Sequence, residues 1–181
     1  MGNRVCGYIV KEAGAETYIS WHQDLTFRGL ASDNQCSAWV ALSPATNESG
    51  CMRMLPGSHT NGLHVHENTF DENNALAFGQ SITGVDESKA RLAPLAPGEA
   101  SIHHGWTLHA SMPNTSDDRR IGDNIQYLAA DNRQTAHDED SAILVRGTDR
   151  FQHFKLDAPA LRSMHPDDLA RREALDTKIN D

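Results

Sequence analysis

Hydrophobic and polar positions along this chain alternate over short distances. Runs with strand character fall at 17–21, 36–42, 51–55, 100–104, 120–129 and 142–145. Turn-forming clusters punctuate them: Asn-Glu-Ser-Gly at 47–50, Leu-Pro-Gly-Ser at 55–58, Ala-Pro-Gly-Glu at 96–99 and Pro-Asn-Thr-Ser at 113–116. Many short strands separated by such turns predict a β-sandwich or barrel. The segment 60–89 is long, polar and poorly periodic, which suits an excursion over a site, or a lid, more than a core element. Helical spacing returns only after His165, where Pro-Asp-Asp-Leu-Ala-Arg-Arg-Glu-Ala-Leu opens with proline and acids and predicts a surface helix.

With 181 residues, 38% of them hydrophobic, the chain can bury one substantial core, and a single domain over 1–181 is expected. A formal net charge of -9 and the lack of a Lys/Arg-rich run argue against nucleic acid or an anionic membrane surface as the main partner. No apolar stretch approaches a bilayer span, and the N-terminus Met-Gly-Asn-Arg-Val-Cys lacks a signal-peptide core, so a soluble cytoplasmic protein is expected. Three cysteines, Cys6, Cys36 and Cys51, match no zinc spacing and leave one unpaired in any disulfide scheme. They are expected to be free thiols in a reducing compartment, with Cys36 and Cys51 as small core residues.

The first chemical candidate is His22-x-Asp24 in Tyr-Ile-Ser-Trp-His-Gln-Asp-Leu. In an extended strand residues two apart share a face, so an imidazole and a carboxylate would point the same way. That arrangement serves an ordinary hydrogen-bonded pair as well as two ligands of one metal. A third ligand is offered by His109 in the histidine-rich stretch His-His-Gly-Trp-Thr-Leu-His-Ala-Ser-Met-Pro-Asn at 103–114. Two imidazoles and one carboxylate on one face of a metal form the facial triad of non-haem iron(II) oxygenases, which keeps positions open for a bidentate cosubstrate and dioxygen. A three-ligand catalytic zinc fits the same count, whereas a closed structural zinc site does not. Arg119 and Arg120 follow at the mouth of the strand Ile-Gly-Asp-Asn-Ile-Gln-Tyr-Leu. Either is a solvated turn charge beside Asp117 and Asp118, or a fork that clamps a carboxylate inside a barrel.

Taken together, His22-x-Asp24, Leu-Pro-Gly-Ser-His at 55–59, His109-x-Ser111-x-x-Asn114 and an arginine eleven residues beyond His109 (120 − 109 = 11) resemble the phytanoyl-CoA dioxygenase family of iron(II)- and 2-oxoglutarate-dependent oxygenases. The resemblance runs in order from Tyr18 to Ala129. It implies a mainly β fold, the double-stranded β-helix or cupin-like jelly roll, with a few flanking helices. It also implies Fe(II) held by His22, Asp24 and His109, and Arg120 rather than Arg119 on the distal carboxylate of 2-oxoglutarate. Ser111 falls where the family places a hydroxyl near that carboxylate, and Trp39 matches a tryptophan beside the cosubstrate, although core packing explains a Trp there equally well. His59, His66 and His104 fall where some members carry active-site histidines, and of these His104 is the candidate for a catalytic role. Gly57 and Asn114 read as turn formers.

The implied reaction uses O2 and 2-oxoglutarate to hydroxylate an unactivated carbon of a small-molecule substrate, releasing succinate and CO2. Related halogenases replace the carboxylate at the position of Asp24 with a small residue, so its presence favours hydroxylation. The domain is expected to lack most of the helical N-terminal portion usual in the family. The alternative function is a truncated or degenerate metal-binding jelly-roll module without turnover.

Overall fold

The computed structural model describes residues 2–26, 28–136 and 140–180. Twelve strands follow in chain order: β1 (Gly2–Lys11), β2 (Ile19–His22), β3 (Gln35–Ala41), β4 (Met52–Met54), β5 (Glu67–Asn68), β6 (Gln80–Ser81), β7 (Arg91–Ala93), β8 (Ala100–His104), β9 (His109–Ser111), β10 (Arg120–Leu128), β11 (Ser141–Leu144) and β12 (Lys155–Leu156). The one α-helix among the described residues, α1 (Pro166–Asn180), lies where the proline and acids after His165 predict it.

Two sheets carry the fold. The larger has strand order β12-β11-β1-β10-β3-β8, and the smaller β2-β9-β4-β7. All ladders in both are antiparallel except β11–β12. Trp39 and Ala41 of β3 pack with Met52 of β4, Cys51 and Ala45, so the main core is the space between the sheets. A second cluster, Trp21, Ile82, Leu108 and Ala110, joins the smaller sheet to the end of the 60–89 segment. This is the jelly-roll arrangement that the family resemblance implies.

Alternation along β3 and β10 shows why the pattern was only half apolar. The inward positions include Gln35, Ser37 and Trp39 on β3, and Arg120 and Gln126 on β10. An inner face that carries polar groups at one end and apolar groups at the other marks where the core gives way to a site. Close packing at that boundary depends on Gly122, where a Cβ would stand 1.9 Å from the Trp39 ring.

Two expectations need correction. The residues before position 17 carry a ten-residue strand, β1, which pairs with β10 along its whole length. It went unread because its apolar residues do not alternate cleanly: Tyr8 and Val10 face outward while Ile9 and Lys11 face inward. The 60–89 segment is also more than an excursion, since it forms the β5–β6 hairpin and contributes Ile82 to the core. Cys36 is half-buried, Cys51 is buried, and both are free; Cys6 lies where side chains are outside the described residues.

Candidate metal centre

His22 closes β2 and faces His109, the first residue of β9, in direct register. Their rings stand 4.1 Å apart, centre to centre. Each imidazole is held the same way: Nδ1 of His22 lies 2.8 Å from the carbonyl of Ser20, and Nδ1 of His109 lies 2.9 Å from that of Thr107. A backbone carbonyl only accepts, so each Nδ1 carries a proton and Nε2 is the ring nitrogen turned toward the centre. Both Nε2 atoms point at Oδ1 of Asp24, 3.7 Å away in each case. The ligand atoms of all three residues lie within 4.8 Å of one another. Two imidazole nitrogens and one carboxylate oxygen, converging without touching, fit a divalent transition metal.

Asp24 is not in the strand. β2 ends at His22, and Asp24 sits in the following turn, so the shared direction of the two side chains comes from the chain bending back. The intervening Gln23 fixes that bend. Its buried amide donates to the carbonyls of Gly62 and Trp106, both at 2.8 Å, and accepts from His64 N at 2.8 Å. Leu-Pro-Gly-Ser-His anchors the third ligand: Ser58 Oγ donates to the carbonyl of Leu55 and accepts from Leu108 N at 2.8 Å, one residue before His109.

Charge states follow from the surroundings. Burial alone would push the Asp24 carboxyl up, yet His109, His103 and His22 around it hold it well below the usual range, so it is ionised. Burial, with His22 adding to it, pushes the His109 imidazole down to about 3, so it is neutral and able to act as a ligand. The other carboxylate oxygen, Oδ2, accepts from Ser37 Oγ at 2.5 Å and has His103 Nε2 at 3.4 Å.

Beside the triad is a small cavity of about 40 Å3 lined by Trp39, Met52, His103, Ser111, Arg120 and Asn124, among others. Arg120 is 1% exposed, stacks on Trp39 with 4.9 Å from its guanidinium carbon to the ring centre, and leaves Nε and Nη2 without a hydrogen-bond partner. Arg119 instead pairs at the surface with Glu12, 3.2 Å away. A larger chamber of about 470 Å3 adjoins it and shares His22, Asp24 and Asn124 with it. Its walls include Ile9, Ile19, Arg28 and Asn124 together with His66, Leu76 and Phe78 from the 60–89 segment.

A sequence profile of the family described as phytanoyl-CoA dioxygenase (PhyH) matches residues 4–122. The chain belongs to this family. It is 32% identical over 115 residues to a probable alpha-ketoglutarate-dependent hypophosphite dioxygenase of Stutzerimonas stutzeri, covering 62% of this chain and 40% of that protein. It is also 32% identical over 119 residues to phytanoyl-CoA dioxygenase domain-containing protein 1 of Danio rerio, covering 62% and 40%. The chain thus spans well under two thirds of the length of these relatives. Among solved structures, the non-heme monooxygenase ThoJ in its apo form superposes with a TM-score of 0.85 at 30% identity, over 98% of this chain and 64% of that one. EvdO2 from Micromonospora carbonacea var. aurantiaca, solved with 2-oxoglutarate, superposes with a TM-score of 0.60 at 27% identity, over 72% and 54%.

The structure brings His22, Asp24, His109, Arg120, Ser111 and Trp39 to one place. It does not bring His104 there. Successive strand residues face opposite ways, and it is His103 that turns inward on β8 while His104 turns out, its Nδ1 accepting from Trp106 N and its ring 5.6 Å from that of His59. The histidine of β8 that stands next to Asp24 is therefore His103, not the expected His104. His59 stays with His104, and His66 lines the larger chamber, its Nε2 accepting from Gln23 N at 3.2 Å. Gly57, with φ 79, is a turn former as expected; Asn114 closes a turn by accepting from Ser116 N but also ties it to β1, donating to the carbonyls of Lys11 and Glu12. Sequence reasoning missed Ser37, Gln23 and Lys11. All three are inward polar residues in or beside strands, a signal visible only once the register is known.

Among the described residues no helix is long and apolar enough to cross a membrane.

Proposed function

We propose that this chain forms the core of an iron(II)- and 2-oxoglutarate-dependent oxygenase that hydroxylates an unactivated carbon of a small organic molecule. The observation that carries this reading is the buried Arg120, with two nitrogens left unpartnered, lining the same small cavity as His22, Asp24 and His109. A metal-binding module or a zinc hydrolase has no use for a buried guanidinium aimed beside its ligands.

In this reading His22, Asp24 and His109 hold the iron. When bound, iron with 2-oxoglutarate and O2 supplies the oxidising chemistry that yields succinate, CO2 and a hydroxylated product. The chain's own residues bind and orient. Arg120 donates its free N–H groups to the distal carboxylate of the cosubstrate, a charge-assisted contact made stronger by burial. Ser111, 1% exposed, adds a hydroxyl beside it. Trp39 fixes the plane of the guanidinium. Asp24 supplies the anionic ligand that retains the metal in a hydroxylating site. The chamber reached from His22 and Asp24, walled by the 60–89 segment, receives the substrate and shields it from bulk water.

The reading is tested by succinate release: purified protein given iron(II), 2-oxoglutarate and air should form succinate in proportion to iron, and Asp24→Ala should form none. Iron-independent or absent succinate from folded protein that retains iron would support the module without turnover instead.

A further inference from the structure

Lys11 and Arg120 are direct cross-strand partners in the β1–β10 ladder, and both side chains face inward. They are 2% and 1% exposed. Among the described residues neither forms an ion pair with a carboxylate, while the surface pair Arg119–Glu12 lies immediately beside them in sequence. Like charges placed directly opposite in a sheet destabilise it, and burying both without a counter-ion adds a desolvation cost. A fold that keeps such a pair leaves room for an anion from outside the chain.

The hydrogen bonds of Lys11 show what it does there. Its ammonium donates to Ser111 Oγ at 2.8 Å, to the carbonyl of Ser111 at 3.3 Å, and to the carbonyl of Met112. Three donors meet three acceptors, so Lys11 has no proton left for a ligand. Ser111 Oγ, however, accepts from Lys11 and therefore keeps its own proton for another acceptor. Both Ser111 and Arg120 line the small cavity beside the triad. The Lys11 amino group thus sets the direction of the serine hydroxyl.

We infer that Lys11 is a positioning residue for the cosubstrate: it holds Ser111 so that the hydroxyl donates to the carboxylate gripped by Arg120. The inference rests on the proposed function, because the anion is the distal carboxylate of 2-oxoglutarate. A merely structural lysine would tie β1 to β9 and leave ligand affinity alone.

The experiment is anaerobic titration of iron-loaded protein with 2-oxoglutarate, comparing wild type, Lys11→Met, Ser111→Ala and the double variant. Loss of one charge-assisted contact is expected to weaken 2-oxoglutarate binding about 10- to 100-fold in each single variant, with iron affinity unchanged. Residues that act as a unit are non-additive, so the double variant should bind no more than about threefold worse than either single one. In turnover the loss should fall on KM for 2-oxoglutarate and leave kcat within about threefold. Wild-type affinity in folded Lys11→Met, or fully additive losses, would overturn the inference while leaving the proposed function intact. Failure of the wild type itself to bind 2-oxoglutarate would overturn that function first. If Lys11→Met does not fold, Ser111→Ala carries the test, because wild-type affinity without the hydroxyl would equally overturn the role.

Discussion

Ser37 and His103 lie directly opposite each other across the β3–β8 ladder, and both reach the same oxygen of Asp24. The pairing leaves the other oxygen to face His22 and His109. Gln35 extends the chain of contacts by donating to Ser37 Oγ at 3.1 Å. Since Ser37 Oγ accepts there, its proton goes to the carboxylate, and the metal-facing oxygen is selected by the sheet rather than by the turn that carries Asp24.

Removing that support should loosen the centre without deleting a ligand. Ser37→Ala and His103→Leu are each expected to weaken iron(II) affinity about 10- to 100-fold, the usual range for contacts that orient a metal ligand. A competition titration against a chelator of known affinity checks this. Unchanged affinity in both variants would mean that Asp24 is set by its turn alone.

Close approach at Gly122 makes a packing prediction. A Cβ there would overlap the Trp39 ring, which is core on one side and platform for Arg120 on the other. Gly122→Ala should cost about 1 to 3 kcal/mol of stability, as overpacking does, and should weaken 2-oxoglutarate binding by moving the platform. Denaturant unfolding and ligand titration on the same preparation separate the two effects.

Gln23 makes a different one. Gln23→Ala leaves the carbonyls of Gly62 and Trp106 and the N–H of His64 without their partner, at a position only 2% exposed. A loss of about 3 kcal/mol is expected from several buried groups left unsatisfied. Hydrogen exchange should rise at 62–66, next to the metal ligands, before it rises in β3 or β10.

Lys11 ties stability to pH. Burial first, then Arg120, pushes its pKa down from 10.5 to about 7, with Cys51 opposing. Below pH 7 the lysine is charged in both folded and unfolded chains and its burial penalty is fully present. As pH rises above 7 the folded chain gives up the proton while the unfolded chain keeps it, so this group makes stability rise with pH. The groups that face Lys11 are Arg120 on β10, the Cys51 thiol before β4, and the hydroxyl and carbonyls at Ser111 and Met112. Burial pushes the Cys51 thiol up from 9.0, which works in the opposite sense at high pH, so the comparison belongs between pH 7 and 9. Urea midpoints should climb over that window in wild type and stay flatter in Lys11→Met.

Much of this site was legible in the chain itself, for identifiable reasons. His22, Asp24, His109 and Arg120 sit at short, fixed spacings within two segments, so a motif captures them before any fold is known. The central strands β3, β8 and β10 were likewise visible from turn punctuation. What stayed hidden depends on register. A one-residue slip reverses every side chain in a strand, so nothing local distinguishes His103 from His104. Only the pairing of Ser37 with His103 does. β1 was hidden for a related reason: it is apolar on both faces near Tyr8, Ile9 and Val10 and ends in an inward lysine, which breaks the alternation that identifies half-buried strands.

The most direct test of the account is anaerobic titration of the purified chain with iron(II) and then 2-oxoglutarate, followed by visible absorption. The account predicts one iron bound per chain, a charge-transfer band that appears only when 2-oxoglutarate is added, and loss of that band in Asp24→Ala. Folded wild-type protein that binds iron yet shows no band with 2-oxoglutarate would contradict it.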